Sequence, residues 1–200
     1  MSTAKTALPS TGSMLLKNVR LTFAQGLFEA STIPGQATGK PKFNCGVLLG
    51  PDHPQLAEIT AKMKAVATEK WKAKGEAQYK ALEKQDKLAL HDGDIKPNYD
   101  GYPGNFFLSP SAQDNAQPSF FDQVRNELTI DQARKLIYSG CYVNIRLDLW
   151  AQDNQYGQRI NAGLRGVQFY KDGDAFSAGR PADSNEFEDV SEGSDSDDIA

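Results

Sequence analysis

Arginines and aromatic rings recur at the outward positions of one stretch, residues 137–170. From Val143 every second residue is apolar (Val143, Ile145, Leu147, Leu149), which leaves Tyr142, Asn144, Arg146, Asp148 and Trp150 on the opposite face. Alternation with period two marks a strand with one buried face. The return run buries Ile160, Ala162 and Leu164 and turns Arg159, Asn161, Gly163 and Arg165 outward. After Gly166 the apolar parity passes to Val167 and Phe169, which predicts a bulge at Arg165 and Gly166. A turn centred on Asn154 and Gln155, closed by Gly157, would set Trp150 opposite Arg159 and Arg146 opposite Gly163. Guanidinium groups, an indole ring and a bare glycine form a surface for something flat and negatively charged. That face carries no acid–base machinery.

The same residue types stand at outward strand and loop positions elsewhere: Arg20, Lys42, Lys96, Tyr99, Tyr102 and Tyr156. Cations interleaved with aromatics are what a single nucleic-acid strand requires, phosphates on the cations and bases on the rings. Each stacked base contributes roughly 1–3 kcal/mol with little regard to sequence. For every aromatic the competing reading is a residue at the edge of the core. For every arginine it is simple solvation.

Catalytic patterns are missing. The two histidines, His53 beside a helix start and His91 in a loop, stand in no triad or metal motif, and the chain carries no CxxC, HExxH, phosphate loop or dinucleotide turn. Asp92, Asp94 and Asp100 in the loop HDGDIKPNYDGYPG lack the acidic ladder and closing glutamate of a calcium loop. A metal-dependent nuclease or annealing accessory enzyme built on those three carboxylates is the alternative function. No metal and no cofactor is expected.

These residues need elements to position them. A first strand runs over residues 14–23, with Val19, Leu21 and Phe23 inward and Arg20 outward. A second covers residues 42–49, burying Phe43, Cys45, Val47 and Leu49. Leu56, Ile59, Met63, Val66 and Ala67 recur at steps of three and four, which predicts an amphipathic helix ending near Gly75. A charged helical piece follows over residues 76–87. Residues 105–108 read as a short third strand, residues 110–126 as irregular, and Thr129 as the cap of a helix over residues 130–136. A last hairpin is expected at residues 171–174. The expected fold class is mainly β with one substantial helix. About five half-buried antiparallel strands make a small OB-fold barrel with elaborated loops and the helix plugging one end, and a β-sandwich is the rival.

Net charge is −4, but the acidity is uneven. Residues 183–200 hold eight acidic side chains and no basic one. Residues 1–182 therefore hold 22 basic and 18 acidic groups, a net of +4. The expected organisation is a flexible N-terminus over residues 1–13, a binding domain over 14–182 and a disordered acidic tail over 183–200. A tethered polyanion competes for a cationic groove at high effective concentration. The tip, with Asp195, Asp197, Asp198 and Ile199, adds one apolar hook to the acidic run. No apolar run approaches a membrane span or a signal segment, so the expected location is the cytoplasm. Cys45 and Cys141 fall at inward positions and read as packing residues rather than a disulfide.

Several segments together resemble the bacteriophage single-stranded DNA-binding proteins. They are Val19-Arg20-Leu21-Thr22-Phe23 with Leu27-Phe28-Glu29, the Asp92-Gly93-Asp94 loop, Tyr138-Ser139-Gly140-Cys141-Tyr142-Val143, and Tyr156-Gly157 leading to Ile160-Asn161-Ala162-Gly163-Leu164 and Val167-Gln168. The resemblance spans about residues 14–190. It implies an OB-fold, sequence-independent binding of single-stranded DNA in phage replication, recombination or repair, and an acidic tail that contacts phage or host replication proteins. The protein would act as a monomer or dimer away from any membrane. Many such tails end in an aromatic residue, whereas this one ends Ile199-Ala200.

Overall fold

The computed structural model describes residues 10–32 and 39–176. In chain order the strands are β1 (Ser13–Thr22), β2 (Lys42–Asn44), β3 (Gly46–Leu49), β4 (Leu90–Asp92), β5 (Phe106–Leu108), β6 (Ser111–Gln113), β7 (Ser119–Phe121), β8 (Glu127–Leu128), β9 (Tyr142–Asn154) and β10 (Gly157–Lys171). The helices are α1 (Leu56–Trp71) and α2 (Gly75–Lys84), which follow β3, and α3 (Ile130–Leu136). The sheet order is β2-β6-β10-β9-β1-β3-β5-β4. Segments β2 and β3 are two halves of one strand bent at Cys45, and β5 and β6 are two halves of another bent at Ser109 and Pro110. Merging them turns the open order into a ring: β1 pairs β3, β2 pairs β6, β6 pairs β10, β10 pairs β9, and β9 pairs β1. This is a closed five-stranded OB barrel, as the strand count predicts.

The barrel interior holds the residues that the alternation marks. Val143, Ile145, Leu147 and Leu149 of β9 and Ile160, Leu164 and Val167 of β10 meet Leu16, Val19 and Leu21 of β1, with Ile59, Met63 and Ala67 of α1 packed on the same core. Both cysteines are buried and free; burial pushes both thiols up, that of Cys141 to about 11. Thr129 caps α3 in a reciprocal box, accepting from Gln132 N while the Gln132 side chain accepts from Thr129 N. Among the described residues no helix is long and apolar enough to cross a membrane.

Five expectations are corrected. The strands are not all antiparallel, because β10 pairs β6 and β7 in parallel. Residues 110–126 are not wholly irregular, since β6 and β7 lie there. The hairpin turns at Gln155 and Tyr156, so Trp150 faces Asn161, Arg159 faces Gln152 and Arg146 faces Gly166. That turn is set by the Asn154 side chain, which accepts from Tyr156 N at 2.9 Å, and by Gly157 at φ 102. The predicted bulge stands at Arg165, where the register shifts between Leu164 and Gly166. No closing hairpin forms over residues 172–176, because Arg20 takes the carbonyl of Asp174 at 2.7 Å and Phe176 N donates to Ser139 O. Finally, β1 begins at Ser13 and Gly12 O still accepts from Leu149 N, so the sheet starts before residue 14.

Leu147 is fully buried between β1 and β10, and Tyr156 at the hairpin tip is 83% exposed. Leu147→Ala should lower the unfolding free energy in urea by about 2–5 kcal/mol. Tyr156→Ala should change it by no more than ~0.5 kcal/mol.

Candidate nucleic-acid interface

A groove of about 530 Å³ opens on the barrel where β2 and β6 meet β10. Lys42 and Asn44 reach it from β2, Ser109 and Ser111 from the third strand, Arg159 and Asn161 from β10, and Lys96 and His91 from the segment after α2. Strands two and three, with the loops between strands one and two and between strands four and five, are where OB barrels take oligonucleotides. The structure therefore brings Lys42, Lys96, Tyr102 and Arg159 together. Among the described residues no carboxylate forms an ion pair with Lys42, Lys96 or Arg159.

The aromatic end of this groove is a cluster built around Lys96. Its ammonium lies 4.5 Å from the Phe107 ring centroid, 5.3 Å from Tyr102 and 5.8 Å from Tyr99, and partial burial lowers its pKa. Tyr99 stands half exposed at the rim. Tyr102 does not stand outward as expected, for it is 1% exposed. Its ring lies against Phe107 and its hydroxyl meets Thr22 Oγ1 at 3.1 Å, over Gly46, where any side chain would collide with both hydroxyls. Tyr102 forms the floor of the groove, not a free stacking face. Phe23 is the residue that the alternation misplaces. Parity puts it inward, yet it is 47% exposed, packs edge-to-face on Tyr99 and lines the groove. Its only signal in the sequence is its place at the end of the alternating run, where the strand stops at Thr22.

The remaining predicted residues lie apart from the groove. Arg146 donates to Ser13 Oγ at 2.6 Å and flanks a small apolar recess with Leu15, Phe121, Arg125 and Val167. Arg165 is held by Asp148 at 2.6 Å. Trp150 is 47% exposed, its ring passing beside Gly163, in a separate hollow of about 540 Å³ shared with Arg165, Lys70 and Lys72 of the α1 end. Trp150 is nonetheless the direct pair partner of Asn161, a groove residue, so the two hollows adjoin across the hairpin. Tyr156 is exposed at the hairpin tip. Arg20 points to the segment that follows β10, donating to Gly140 O and Asp174 O. Asp195, Asp197, Asp198 and Ile199 lie outside the described residues.

Two carboxylates of the alternative reading, Asp92 and Asp94, serve their own loop. Asp92 accepts from Asp94 N at 2.9 Å, and Asp94 accepts from Gly104 N at 2.7 Å. Among the described residues no three carboxylate, histidine or cysteine side chains gather as metal ligands would.

A closed OB barrel with a cationic, aromatic-ended groove across strands two and three is the architecture of a single-strand-binding module. The chain belongs to the family described as Enterobacter phage Enc34, ssDNA-binding protein, whose model matches residues 12–200. Protein p50 of Acyrthosiphon pisum secondary endosymbiont phage 1 is 41% identical over 179 residues, which cover 88% of this chain and 92% of that protein. The single-stranded DNA-binding protein from bacteriophage Enc34, solved in complex with ssDNA, has the same fold. It superposes with a TM-score of 0.68 at 23% identity, covering 87% of this chain and 100% of that one. The single-stranded DNA binding protein gp2.5 of bacteriophage T7 shares the fold more distantly, with a TM-score of 0.55 at 8% identity over 82% of this chain and 94% of that one.

The Asp148 carboxyl sits below its ordinary value of 3.8. Burial pushes it up, but hydrogen bonds from Arg165, Ser13 and Ser10 and the Arg165 charge outweigh that. Its contribution to stability is fully present above about pH 3.8 and is lost as pH falls through the lower folded-state value. Urea midpoints measured from about pH 6 to about pH 2 should fall less steeply in Asp148→Asn than in the parent.

Proposed function

We propose that this chain is a sequence-independent single-stranded DNA-binding protein that coats and protects exposed strands in phage replication, recombination or repair. Its role is to bind and not to catalyse. One observation carries the reading: the groove across strands two and three gathers Lys42, Lys96 and Arg159, each without an acidic partner among the described residues, beside exposed rings at Phe23 and Tyr99. Family membership supports it, as does the ssDNA complex of the Enc34 protein. The phosphates would lie on the three cations. Trp150, with Lys70, Lys72 and Arg165, would extend the path across the hairpin, and Arg146 and Tyr156 would contribute at its margins.

In this reading residues 14–182 form the DNA-binding body and residues 183–200 the acidic tail. The tail competes with DNA for the cations and, once displaced, recruits phage or host replication proteins through Asp195, Asp197, Asp198 and Ile199. The setting is the cytoplasm of the host.

Titration with oligo-dT should quench tryptophan fluorescence, and Trp150→Phe should remove most of the change, because Trp71 is already tied by its indole N–H to Asp153 at 2.8 Å. Affinity should fall with salt, and Lys42→Ala and Arg159→Ala should each reduce the log–log slope by about 0.7. Absence of any binding at low salt would overturn the proposal. Removing residues 183–200 should tighten binding at low salt; unchanged affinity would rule out the competing tail. Labelled single strands incubated with Mg²⁺ should remain intact.

A further inference from the structure

Beyond its cationic part the groove opens into a second hollow of about 750 Å³, and we infer that this hollow seats one nucleobase of the bound strand against Phe23. The inference rests on the reading proposed above.

Phe23 directly follows β1, and the parity of Val19 and Leu21 assigns its ring to the core. It adopts φ 54, ψ 44 instead, the left-handed region, and turns the ring out. Both features oppose stability: a bulky side chain is disfavoured at positive φ, and an exposed phenyl ring forgoes burial. The turn itself does not call for phenylalanine, because the side chain makes no capping hydrogen bond to the following 3₁₀ turn. Asparagine or glycine would satisfy this backbone with less strain. A strained, solvent-facing aromatic is explained when its position serves a ligand.

The ring's surroundings name that ligand. Phe23 borders both the cationic groove and the second hollow. In the hollow it faces Tyr99 and Tyr102, with ring centroids 5.6 and 6.3 Å away, and Phe176 forms another wall. Phe176 is held there by the Arg20 guanidinium 4.3 Å above its ring. The polar lining includes Asn44 and Asn98, whose amides both donate and accept, so they can meet the edge of any base. Glu29 also lines the hollow, but Arg134 at 3.1 Å and Gln25 at 3.1 Å engage its carboxylate. A flat, apolar-faced group with a polar edge fits these walls, and the neighbouring Lys42, Lys96 and Arg159 would hold the phosphates beside it. A base lifted from a single strand has that chemistry.

The test compares Phe23→Asn with Phe23→Tyr in the full chain. Phe23→Asn should weaken oligo-dT binding by about 5- to 150-fold, the span to which ~1–3 kcal/mol per stacked base converts at 1.4 kcal/mol per tenfold. Its salt slope should be unchanged because no charge is removed. Its melting midpoint should equal or exceed that of the parent, because the strain is relieved. Phe23→Tyr should keep the affinity. Parent-like affinity in Phe23→Asn overturns the inference, and so does an affinity loss accompanied by a lower melting midpoint, which would make the ring a packing element. Failure of the parent chain itself to bind DNA would instead sink the function proposed above.

Discussion

Closure of an odd ring governs this structure. Strands that alternate in direction can close a barrel only if their number is even, so a ring of five must contain one parallel seam. Here the seam is β10 against β6 and β7, and it is short: Gly163 meets Ser111, and residues 166–168 meet residues 119–121. Parallel pairing is slightly weaker per residue and its bonds are slanted. On the hairpin side of Gly163 no strand among the described residues lies beside this β10 edge, and Ile160 N donates instead to Lys87 O of a loop. The cationic groove lies at this gap, with Arg159 and Asn161 on one bank and Lys42 and Asn44 on the other. The position of the groove is thus a consequence of closing the barrel.

The cations divide by what the protein already asks of them. Arg20, Arg146 and Arg165 each donate to a protein oxygen at 2.6 or 2.7 Å, and together they hold the segment after β10, β1 and the hairpin bulge. Lys96 is stationed over three rings instead and lines the groove. Net charge cannot make this distinction. A body at +4 contains some arginines that already brace the barrel, whatever else they meet, and other cations with no acidic partner among the described residues.

The aromatic residues divide in the same way. Tyr102, Phe107 and Thr22 form a buried support whose hydroxyl pair needs the bare backbone of Gly46. On that support stand Tyr99 and Phe23, half exposed and packed on each other. The buried support restricts the exposed rings to few orientations, which would lower the entropy lost if a base stacked on them.

Much of the fold was legible in the chain because its signals are local. Alternation in β9 and β10 marked their buried faces, the shift of parity at Gly166 marked the bulge, and the Thr129 and Gln132 pair marked the start of α3. Three- and four-residue spacing marked α1. The resemblance and the charge asymmetry pointed to single-stranded DNA. Tertiary structure alone decided the hairpin register, since a turn moved by one residue shifts every cross-strand pair by two positions. It alone bent residues 42–49 at Cys45 into two partners, set β10 parallel to β6, drew Tyr102 under Lys96 and turned Phe23 out through a positive φ. The physical reason is range. Parity reports which face of a strand meets apolar surroundings, but which cations stay unpaired and which rings stay exposed depends on segments far apart in sequence meeting at the seam.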